Sequence, residues 1–435
     1  MIWKPDTHDR PLQYGIRANL GQFCQQLTQV FFIGATVGLQ RTVIPALAEQ
    51  EFGVPAGSAT LLMLFIVSFG FVKGAMNLVA GRLSEHAGRR PVLIWGWMFA
   101  LPIPFMILYG PTWGWIVAAN VLLGVNQGFA WSMTVTSKVD ITRPEQRGLA
   151  TGLNEFAGYT GVALAGIATG YLAMRFDPRW TLFAFGLGTI SIGLVSALLF
   201  SKETLPWAHA EATEHATGSP RFAPRFPKNV SEKPSLIEIF LLVSMRHRTL
   251  SALSQAGCVE KFVDALVWGI LPVYLYSKAL TVGEIGWVVG VYGVVWGASQ
   301  LWTGPASDVI GRKPLIVAGM WTCAAGVAAL MVVDGILAWS FAAAVTGIGM
   351  AMLYPTLIAA VSDISHPNWR GSSLGVYRFW RDSGYGIGGL LIGVVVDVSN
   401  TTQMAFWFTA LAMGLSGFWV LIAAEETHPQ INPNG

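Results

Sequence analysis

The chain has 435 residues, of which 53% are hydrophobic and 12% charged, and its mean hydropathy is +0.52. A soluble domain carries about twice that charged fraction, so the composition excludes an ordinary soluble protein and indicates one that crosses a membrane many times. The net charge of +3 is spread over the loops and does not indicate nucleic-acid binding. The three cysteines lie far apart and show neither zinc-ligand nor disulfide spacing, so no metal and no cofactor is predicted.

Twelve segments of the chain are apolar over the length of about 20 residues that a membrane-spanning helix needs. They run over 24–47, 58–80, 91–109, 113–136, 148–174, 180–200, 250–276, 284–306, 314–333, 336–361, 372–397 and 403–423. The polar N-terminus shows no pattern of a cleaved signal peptide. We predict an all-α membrane protein with this order of parts: N-terminal segment 1–23, six helices 24–200, linker 201–248, six helices 249–423 and tail 424–435.

The long polar stretch from Ser201 to Arg248 contains PRFAPRFPKNVSEKP, whose proline and charge indicate a linker between the two sets of helices. Most of the 27 lysines and arginines fall on the side that holds this linker and both termini. The loops of the opposite side contain Arg175, Arg179 and Lys278. Because basic loops stay in the cytoplasm, we predict a multi-pass protein of the cell membrane, for example a bacterial inner membrane, with both termini cytoplasmic.

A charged turn occurs twice in the sequence, as GRLSEHAGRRP from Gly81 and as GPASDVIGRKP from Gly304. A second pair of motifs, DITRPEQRG from Asp140 and DISHPNWRG from Asp363, matches at the same offset of 223 positions. Two separated matches at one offset indicate that the halves are copies of a six-helix unit. Such parallel halves are a recurrent design among transporters.

With twelve spans, these motifs resemble those of the major facilitator superfamily, and the resemblance covers nearly the whole chain. It implies two pseudo-symmetric six-helix bundles, a central cavity and alternating access. In that arrangement the charged turns are predicted to form a cytoplasmic gate whose ion pairs break when the gate opens. The alternative is that their basic residues only determine the topology. The predicted gate residues are Gly81, Glu85, Arg89, Arg90, Asp140, Asp308, Arg312, Lys313 and Asp363.

Nine ionisable residues fall within the predicted spans, where a charge is costly and therefore marks a candidate for function. The five bases are predicted to bind substrate: Arg41, Lys73, Lys261, Arg378 and Arg381. The four acids are predicted to exchange protons or compensate charge: Glu155, Glu260, Asp264 and Asp382. Glu155 and Arg378 correspond at the repeat offset and are expected to pair, or to hold substrate between them. The alternative for each charge is an internal ion pair that only fixes packing, although Arg381 and Asp382 are not expected to face each other.

Five bases against four acids favour an anionic solute, since a guanidinium group donates two parallel hydrogen bonds to a carboxylate or phosphate. Arg41, Lys73 and the run NQGFAW from Asn126 are also loosely similar to the organophosphate:phosphate antiporter branch. That similarity implies phosphate binding by the first-helix arginine and the second-helix lysine. We predict a secondary active transporter of a small organic or inorganic anion, coupled to protons or to a counter-anion. The expected protein is monomeric and contacts the lipid bilayer and a small-molecule substrate.

Two other functions stay open at this point. A proton-driven exporter of amphipathic drugs or metabolites fits GRLSEHAGRR, which is typical of drug antiporters. Those antiporters, however, usually have an arginine in the fourth helix and a Gly-Pro pair in the fifth, which this chain lacks. A membrane sensor would bind a partner through the linker instead of moving a solute. No Ser/His/Asp or Cys/His arrangement indicates an enzyme, and the sequence specifies neither the solute nor its direction.

Overall fold

The computed structural model describes residues 12–52, 59–216 and 234–431. These residues form helices joined by short turns, and none of them lies in a β-strand. The helices of the first half are α1 (Leu20–Phe52), α2 (Ala59–Ala87), α3 (Arg89–Ala100), α4 (Pro102–Tyr109), α5 (Trp113–Ile141), α6 (Arg147–Ala173) and α7 (Pro178–Phe200). Two helices follow in the segment predicted as the linker, α8 (Leu205–Ala216) and α9 (Leu236–Leu241). The second half contains α10 (Arg248–Ala265), α11 (Leu271–Ser277), α12 (Val282–Ile310), α13 (Arg312–Val332), α14 (Ile336–Asp363), α15 (Arg370–Ser399) and α16 (Gln403–Ala423).

The prediction of an all-α membrane protein with twelve spans is confirmed, with α3–α4 and α10–α11 each forming one broken span. Within the described ranges, seven segments are long and apolar enough to cross a membrane on length and composition alone. They are Arg89–Tyr109, Trp113–Ile141, Pro144–Ala173, Pro178–Phe200, Arg312–Val332, Ile336–Asp363 and Gln403–Ala423. The break after Leu101 comes at Pro102, because proline lacks the N–H that would continue the helix. The other break is a π-helical turn, Leu266–Ile270.

The two charged turns have the same backbone conformation in both halves. Gly88, between α2 and α3, has φ 95°, and its repeat counterpart Gly311, between α12 and α13, has φ 108°. Only glycine adopts such angles without steric cost, so these positions end one helix and start the next. A carboxylate satisfies the first backbone N–H groups of each following helix, from Glu203 at α3 and from Glu426 at α13. The repeat seen in the sequence therefore extends to the polar contacts that cap the helices.

The two halves meet mainly along two helix pairs, α2 with α15 and α6 with α12, and α6 also contacts α14. Glycines face each other where these helices cross, since a Cβ atom at Gly81 would collide with the backbone of Gly371. A Cβ atom at Gly148 would likewise collide with Gly304. Both crossings lie near one end of the molecule, which also contains α8, the turns after α2 and α12, and residues 140–147 and 363–370. We call this end the linker end; small residues bring the two halves into close contact there.

Candidate functional site

Eight of the predicted membrane charges form a central cluster on helices α2, α6, α10 and α15 of both halves. Each of them is at most 6% exposed, so none has free access to bulk water. The members of the cluster are Lys73, Glu155, Glu260, Lys261, Asp264, Arg378, Arg381 and Asp382. The ninth predicted residue, Arg41, lies in α1, and its side chain is outside the part of the chain that the structure describes.

Asp382 joins the two halves within this cluster. Its Oδ1 accepts from Nε and Nη2 of Arg381 at 3.1 and 3.0 Å. Its Oδ2 accepts from Nδ2 of Asn77 at 2.7 Å and lies 3.6 Å from Nζ of Lys73, both on α2 of the other half. The expectation that Arg381 and Asp382 do not face each other is wrong. The long arginine side chain turns back along its own helix and reaches the neighbouring carboxylate.

Asp264 and Lys261 form a second closed pair. Nζ of Lys261 donates to Oδ2 of Asp264 at 2.8 Å, and Tyr292 donates its hydroxyl to Oδ1 at 2.7 Å. The ammonium group of Lys261 also lies 4.1 Å from the ring centre of Tyr354 and 5.3 Å from that of Trp296. Both groups therefore have strong partners inside the protein, and the lysine adds cation–π contacts.

Arg378 is the exception among the bases of the cluster. It is 1% exposed, and its Nε, Nη1 and Nη2 have no hydrogen-bond partner anywhere in the described chain. The expected ion pair with Glu155 is not formed; Oε1 of Glu155 accepts from Trp131 at 3.0 Å and from Asn154 at 2.8 Å instead. A buried guanidinium group without an acceptor is costly and rare in folded proteins. The arrangement can therefore accept an anionic group from a ligand at Arg378.

Two acids of the cluster also keep unused oxygens. Neither oxygen of Glu260 has a hydrogen-bond donor among the described residues, although Nζ of Lys261 lies 3.7 Å from its Oε1. Oε2 of Glu155 likewise has no donor in that part of the protein. These two carboxyl groups can gain or lose a proton without breaking a hydrogen bond to the oxygens concerned.

Aromatic side chains from both halves pack against the central cluster. Tyr159 of α6 lies 4.2 Å, between ring centres, from Trp296 of α12, and its hydroxyl donates to the hydroxyl of Tyr354 at 3.1 Å. The guanidinium group of Arg381 lies 4.3 Å from the Tyr354 ring, and Lys73 lies 5.3 Å from the Trp131 ring. The depth of Trp296 in its predicted span made it a candidate for lining the cavity, with packing as the alternative, but isolated aromatic residues in apolar helices give no signal that they meet.

Charged residues of the linker end form a second cluster, which we call the linker-end cluster. Its members are Arg82, Glu85, Arg89, Asp140, Arg147, Glu211, Asp308, Arg312, Asp363 and Arg370. On the first half, Nε of Arg89 donates to Oδ2 of Asp140 at 2.9 Å. Glu85 accepts from Arg82 at 3.0 Å and from the backbone N–H of Ser372 at 2.6 Å, at the start of α15 in the other half. Glu85 therefore caps a helix of the opposite half, which adds a favourable charge–dipole contact across the interface.

The second half repeats this pattern. Asp308 accepts from the backbone N–H groups of Gly148 and Leu149, at 2.8 and 2.7 Å, and from Arg312 at 2.7 Å. Nε of Arg312 also donates to Oδ2 of Asp363 at 3.0 Å. Of the remaining predicted gate residues, Arg90 donates through Nη2 to the carbonyl of Leu198 at 2.7 Å, and Lys313 donates its backbone N–H to Glu426.

Three further residues of the linker-end cluster were not predicted. Nη1 of Arg147 donates to Oδ1 of Asp363 at 3.1 Å, and Nη1 of Arg370 lies 3.5 Å from Oδ1 of Asp140. Both arginines also contact the carboxylate of Glu211, which comes from α8. The two arginines are the basic residues that coincide in the repeated Asp-to-Arg-Gly motifs, so the repeat carried a signal for them. Glu211 has no counterpart in the repeat and no sequence signal.

Two histidines at the linker end lie outside the membrane-spanning helices. Burial lowers the pKa of His428, in the tail, below its usual value of 6.5, and Arg312 adds to the effect. Burial also lowers the pKa of His209, on α8, with a further contribution from Arg89. A protonated imidazole at either place would stand close to an arginine of the cluster.

The family model of the Major Facilitator Superfamily matches this chain over residues 27–259 and again over residues 253–435. The multidrug resistance protein MdtH of Aeromonas hydrophila is 31% identical over 117 residues, which are 25% of this chain and 30% of that protein. MdtH of Klebsiella pneumoniae is 29% identical over 154 residues, which are 33% of this chain and 38% of that protein. The chain thus spans about a third of the length of these curated relatives.

Solved structures of similar fold include the human organic anion transporter MFSD10, with a TM-score of 0.74 and 15% identity over 92% of this chain and 99% of that one. A double Trp mutant of XylE gives a TM-score of 0.76 and 15% identity over 95% of this chain and 98% of that one. The E. coli fucose:proton symporter FucP gives a TM-score of 0.70 and 13% identity over 93% of this chain and 98% of that one. At these identities the likeness concerns the fold alone.

Proposed function

Because the chain belongs to the Major Facilitator Superfamily and is a multi-pass membrane transporter, we propose that its solute is a small organic or inorganic anion. The anion binds between the bundles formed by residues 24–200 and 249–423, and alternating access carries it across the membrane as these bundles rock. The linker 201–248 and both termini are cytoplasmic in this proposal, since most basic loop residues lie on that side. One monomer contains the whole path.

The observation that carries the proposal is the Arg378 guanidinium group, which is buried and has no acceptor in the described chain. Its neighbour Arg381 directs two nitrogens to Asp382, and its third, Nη1, is also without a partner there. Two adjacent sets of free N–H groups suit a carboxylate or phosphate, which accepts several hydrogen bonds at once. Lys73, which lies 3.6 Å from Asp382, can move toward the anion when that contact loosens.

Coupling is part of the same proposal. Glu155 and Glu260 are the acids with unused oxygens, so they are the groups that exchange protons, while Asp264 and Asp382 compensate the charge of Lys261 and Arg381. In this proposal, a proton taken up by one of these acids offsets the negative charge of the anion bound at Arg378. Exchange against a second anion at the same arginine needs no proton and is the other form of coupling that this site supports.

A thermal-shift screen of the purified protein tests the anion site. We expect phosphate, sugar phosphates or carboxylates to raise the melting temperature, because a ligand stabilises the state that binds it. The variant Arg378→Met should lose this shift, whereas Lys278→Met, which removes an exposed base from a loop, should keep it. An equal shift in wild type and Arg378→Met would reject the assignment. The compound that gives the largest shift then serves as substrate for uptake into proteoliposomes, which Arg41→Ala and Arg378→Ala should each abolish.

Proton-driven export of amphipathic compounds is the second candidate function. It is favoured by the aromatic layer of Trp131, Tyr159, Trp296 and Tyr354, and by the partial similarity to two multidrug resistance proteins. In that case lipophilic cations should raise the melting temperature more than anions do, and Glu155→Gln should abolish transport while Arg378→Met preserves it. Drug-sensitivity profiles of a deletion strain would show the same distinction in cells.

A further inference from the structure

Helix α8 is attached to the first half of the molecule. Trp207 accepts, through its carbonyl, a hydrogen bond of 2.8 Å from the hydroxyl of Tyr14, and its ring nitrogen donates to the carbonyl of Gln13 at 3.1 Å. Just before the helix, the hydroxyl of Thr204 donates to Asp140 at 3.3 Å, and Glu203 caps α3. These polar contacts are all with the first half, whereas Pro367–Trp369 of the second half only packs against the helix. We therefore expect α8 to move with the first half.

Glu211 projects from α8 to both halves. Its Oε1 accepts from Nη2 of Arg147, in the first half, at 3.0 Å. It also accepts two hydrogen bonds from Arg370, in the second half, from Nη2 to Oε1 at 2.6 Å and from Nη1 to Oε2 at 2.8 Å. The Glu211 side chain is 4% exposed and that of Arg370 is 1% exposed, so water screens this pair little.

The two arginines are repeat counterparts, and the repeat provides each with an aspartate of the opposite half, Asp363 for Arg147 and Asp140 for Arg370. The second of these contacts is loose, at 3.5 Å, so the two-pronged pair with Glu211 is the closest contact of Arg370 with the first half. Because α8 moves with the first half, Glu211 can keep Arg147 but must release Arg370 when the halves separate at the linker end.

We propose that Glu211 is a positioning residue of the transport cycle, which holds Arg147 and Arg370 together and so favours the state closed at the linker end. If only the repeated residues took part, each half would contribute one arginine and one aspartate to the contacts that hold the linker end closed. Glu211 adds a third carboxylate from the linker, so the free-energy difference between the two access states depends on a residue outside both bundles. The effect is independent of the solute, since no part of the central cluster takes part in it.

Alkylation of a cysteine introduced as Ser372→Cys measures opening at the linker end. Ser372 is fully buried, and its backbone N–H donates to Glu85 of the other half, so its side chain becomes accessible when the halves separate. The native Cys323, fully buried within the second half, reports loosening of the bundle itself, and Cys24 and Cys258 are replaced by serine. Glu211→Gln should raise the alkylation rate at position 372 by about tenfold to a hundredfold, the range for losing a hydrogen bond to a charged group, and leave that of Cys323 unchanged.

The matched control is Glu238→Gln, which removes the same charge from an exposed position on α9 where glutamine can keep the capping contact with Ser235. It should alter neither rate. Glu211→Asp keeps the charge but shortens the side chain, so it should give an intermediate rise and serves if the glutamine variant does not fold. The proposal is overturned by an unchanged rate at position 372 in both Glu211 variants. It is also overturned if the two cysteines speed up together or if Glu238→Gln has the same effect.

Discussion

The central cluster and the linker-end cluster are both built from buried charges, yet they differ in how completely those charges are paired. At the linker end, Asp363 and Asp308 accept close hydrogen bonds from both halves, with distances of 2.7 to 3.1 Å. In the central cluster, Asp264 and Asp382 are equally well paired, but Arg378 and both oxygens of Glu260 have no hydrogen-bond partner in the described chain.

The difference separates two uses of buried charge. A carboxylate that takes donors from both halves stabilises one arrangement of those halves and loses these bonds when they part. An unpaired arginine lowers the stability of the protein around it and gains a partner only when a ligand arrives. Substitutions at the linker end should therefore change stability and closure, whereas substitution of Arg378 should change ligand binding and leave the protein more stable.

The largest loss of stability is expected for Asp363→Asn. It removes the charge that pairs with Arg147 at 3.1 Å and with Arg312 at 3.0 Å, all within a region that excludes water. Removal of one member of a buried ion pair costs about 3–5 kcal/mol, because the remaining charge stays buried. A lower melting temperature of the purified variant in detergent is the measurement.

Its repeat counterpart provides the control for that substitution. Asp140 pairs closely with Arg89 at 2.9 Å but lies 3.5 Å from Arg370, which Glu211 also binds. Asp140→Asn should therefore lower the melting temperature less than Asp363→Asn does. An equal or larger fall would show that the number of close pairs does not determine stability at the linker end.

The linker end could be predicted further than the centre because the sequence repeats there. The offset of 223 positions relates Asp140 to Asp363, and it relates the basic residues of one charged turn to those of the other. Because acids and bases recur together at these positions, the sequence indicated that the acids pair with the bases. Glu211 occurs once, in a polar segment predicted as a linker, so nothing marked it. The twelve spans were equally accessible to prediction, since apolar length alone indicates a membrane helix.

Pairing in the centre depends on which helices cross and on the choice of side-chain rotamer. Lys73 meets Asp382 because α2 crosses α15, a contact between distant parts of the chain. Arg381 meets its neighbour Asp382 through a rotamer of its long side chain that the sequence does not specify. The expected pair of Glu155 with Arg378 followed the repeat, but Glu155 takes Trp131 and Asn154 as donors on one oxygen and no donor on the other. A repeat offset predicts corresponding positions in the two halves, not which of their side chains meet.

The next largest expected effect is a gain of stability in Arg378→Met. Methionine fills a similar volume and removes a buried charge that has no partner in the described part, so unfolding should become harder by about 1–4 kcal/mol. The melting temperature without ligand should rise, and the shift given by anions should disappear. A fall in melting temperature without ligand would show that Arg378 has a stabilising partner.

The caps that cross the interface should have a smaller effect. Asp308 caps α6 through two backbone N–H groups, whereas Glu85 caps α15 through one. Loss of a capping carboxylate costs about 0.5–2 kcal/mol. We expect Asp308→Ala, which removes both acceptors, near the upper value and Glu85→Ala near the lower, measured as melting temperatures at the same pH. The opposite order would mean that the charge of Arg82 or Arg312, not the cap, determines the effect.

The smallest expected effect is the pH dependence contributed by His428. Its pKa is lowered in the folded protein, so the unfolded chain binds more protons below about pH 6.5 and stability falls as the solution is acidified. For one histidine the loss at pH 6 is less than about 1 kcal/mol. Melting temperatures at pH 7.5 and pH 6 should differ less in His428→Gln than in wild type, while the exposed His86→Gln keeps the full difference.

A remaining dependence of the same sign is expected from His209 and His247, whose pKa values burial also lowers. If His428→Gln leaves the pH dependence unchanged, the tail does not contribute to the acid sensitivity of the linker-end cluster.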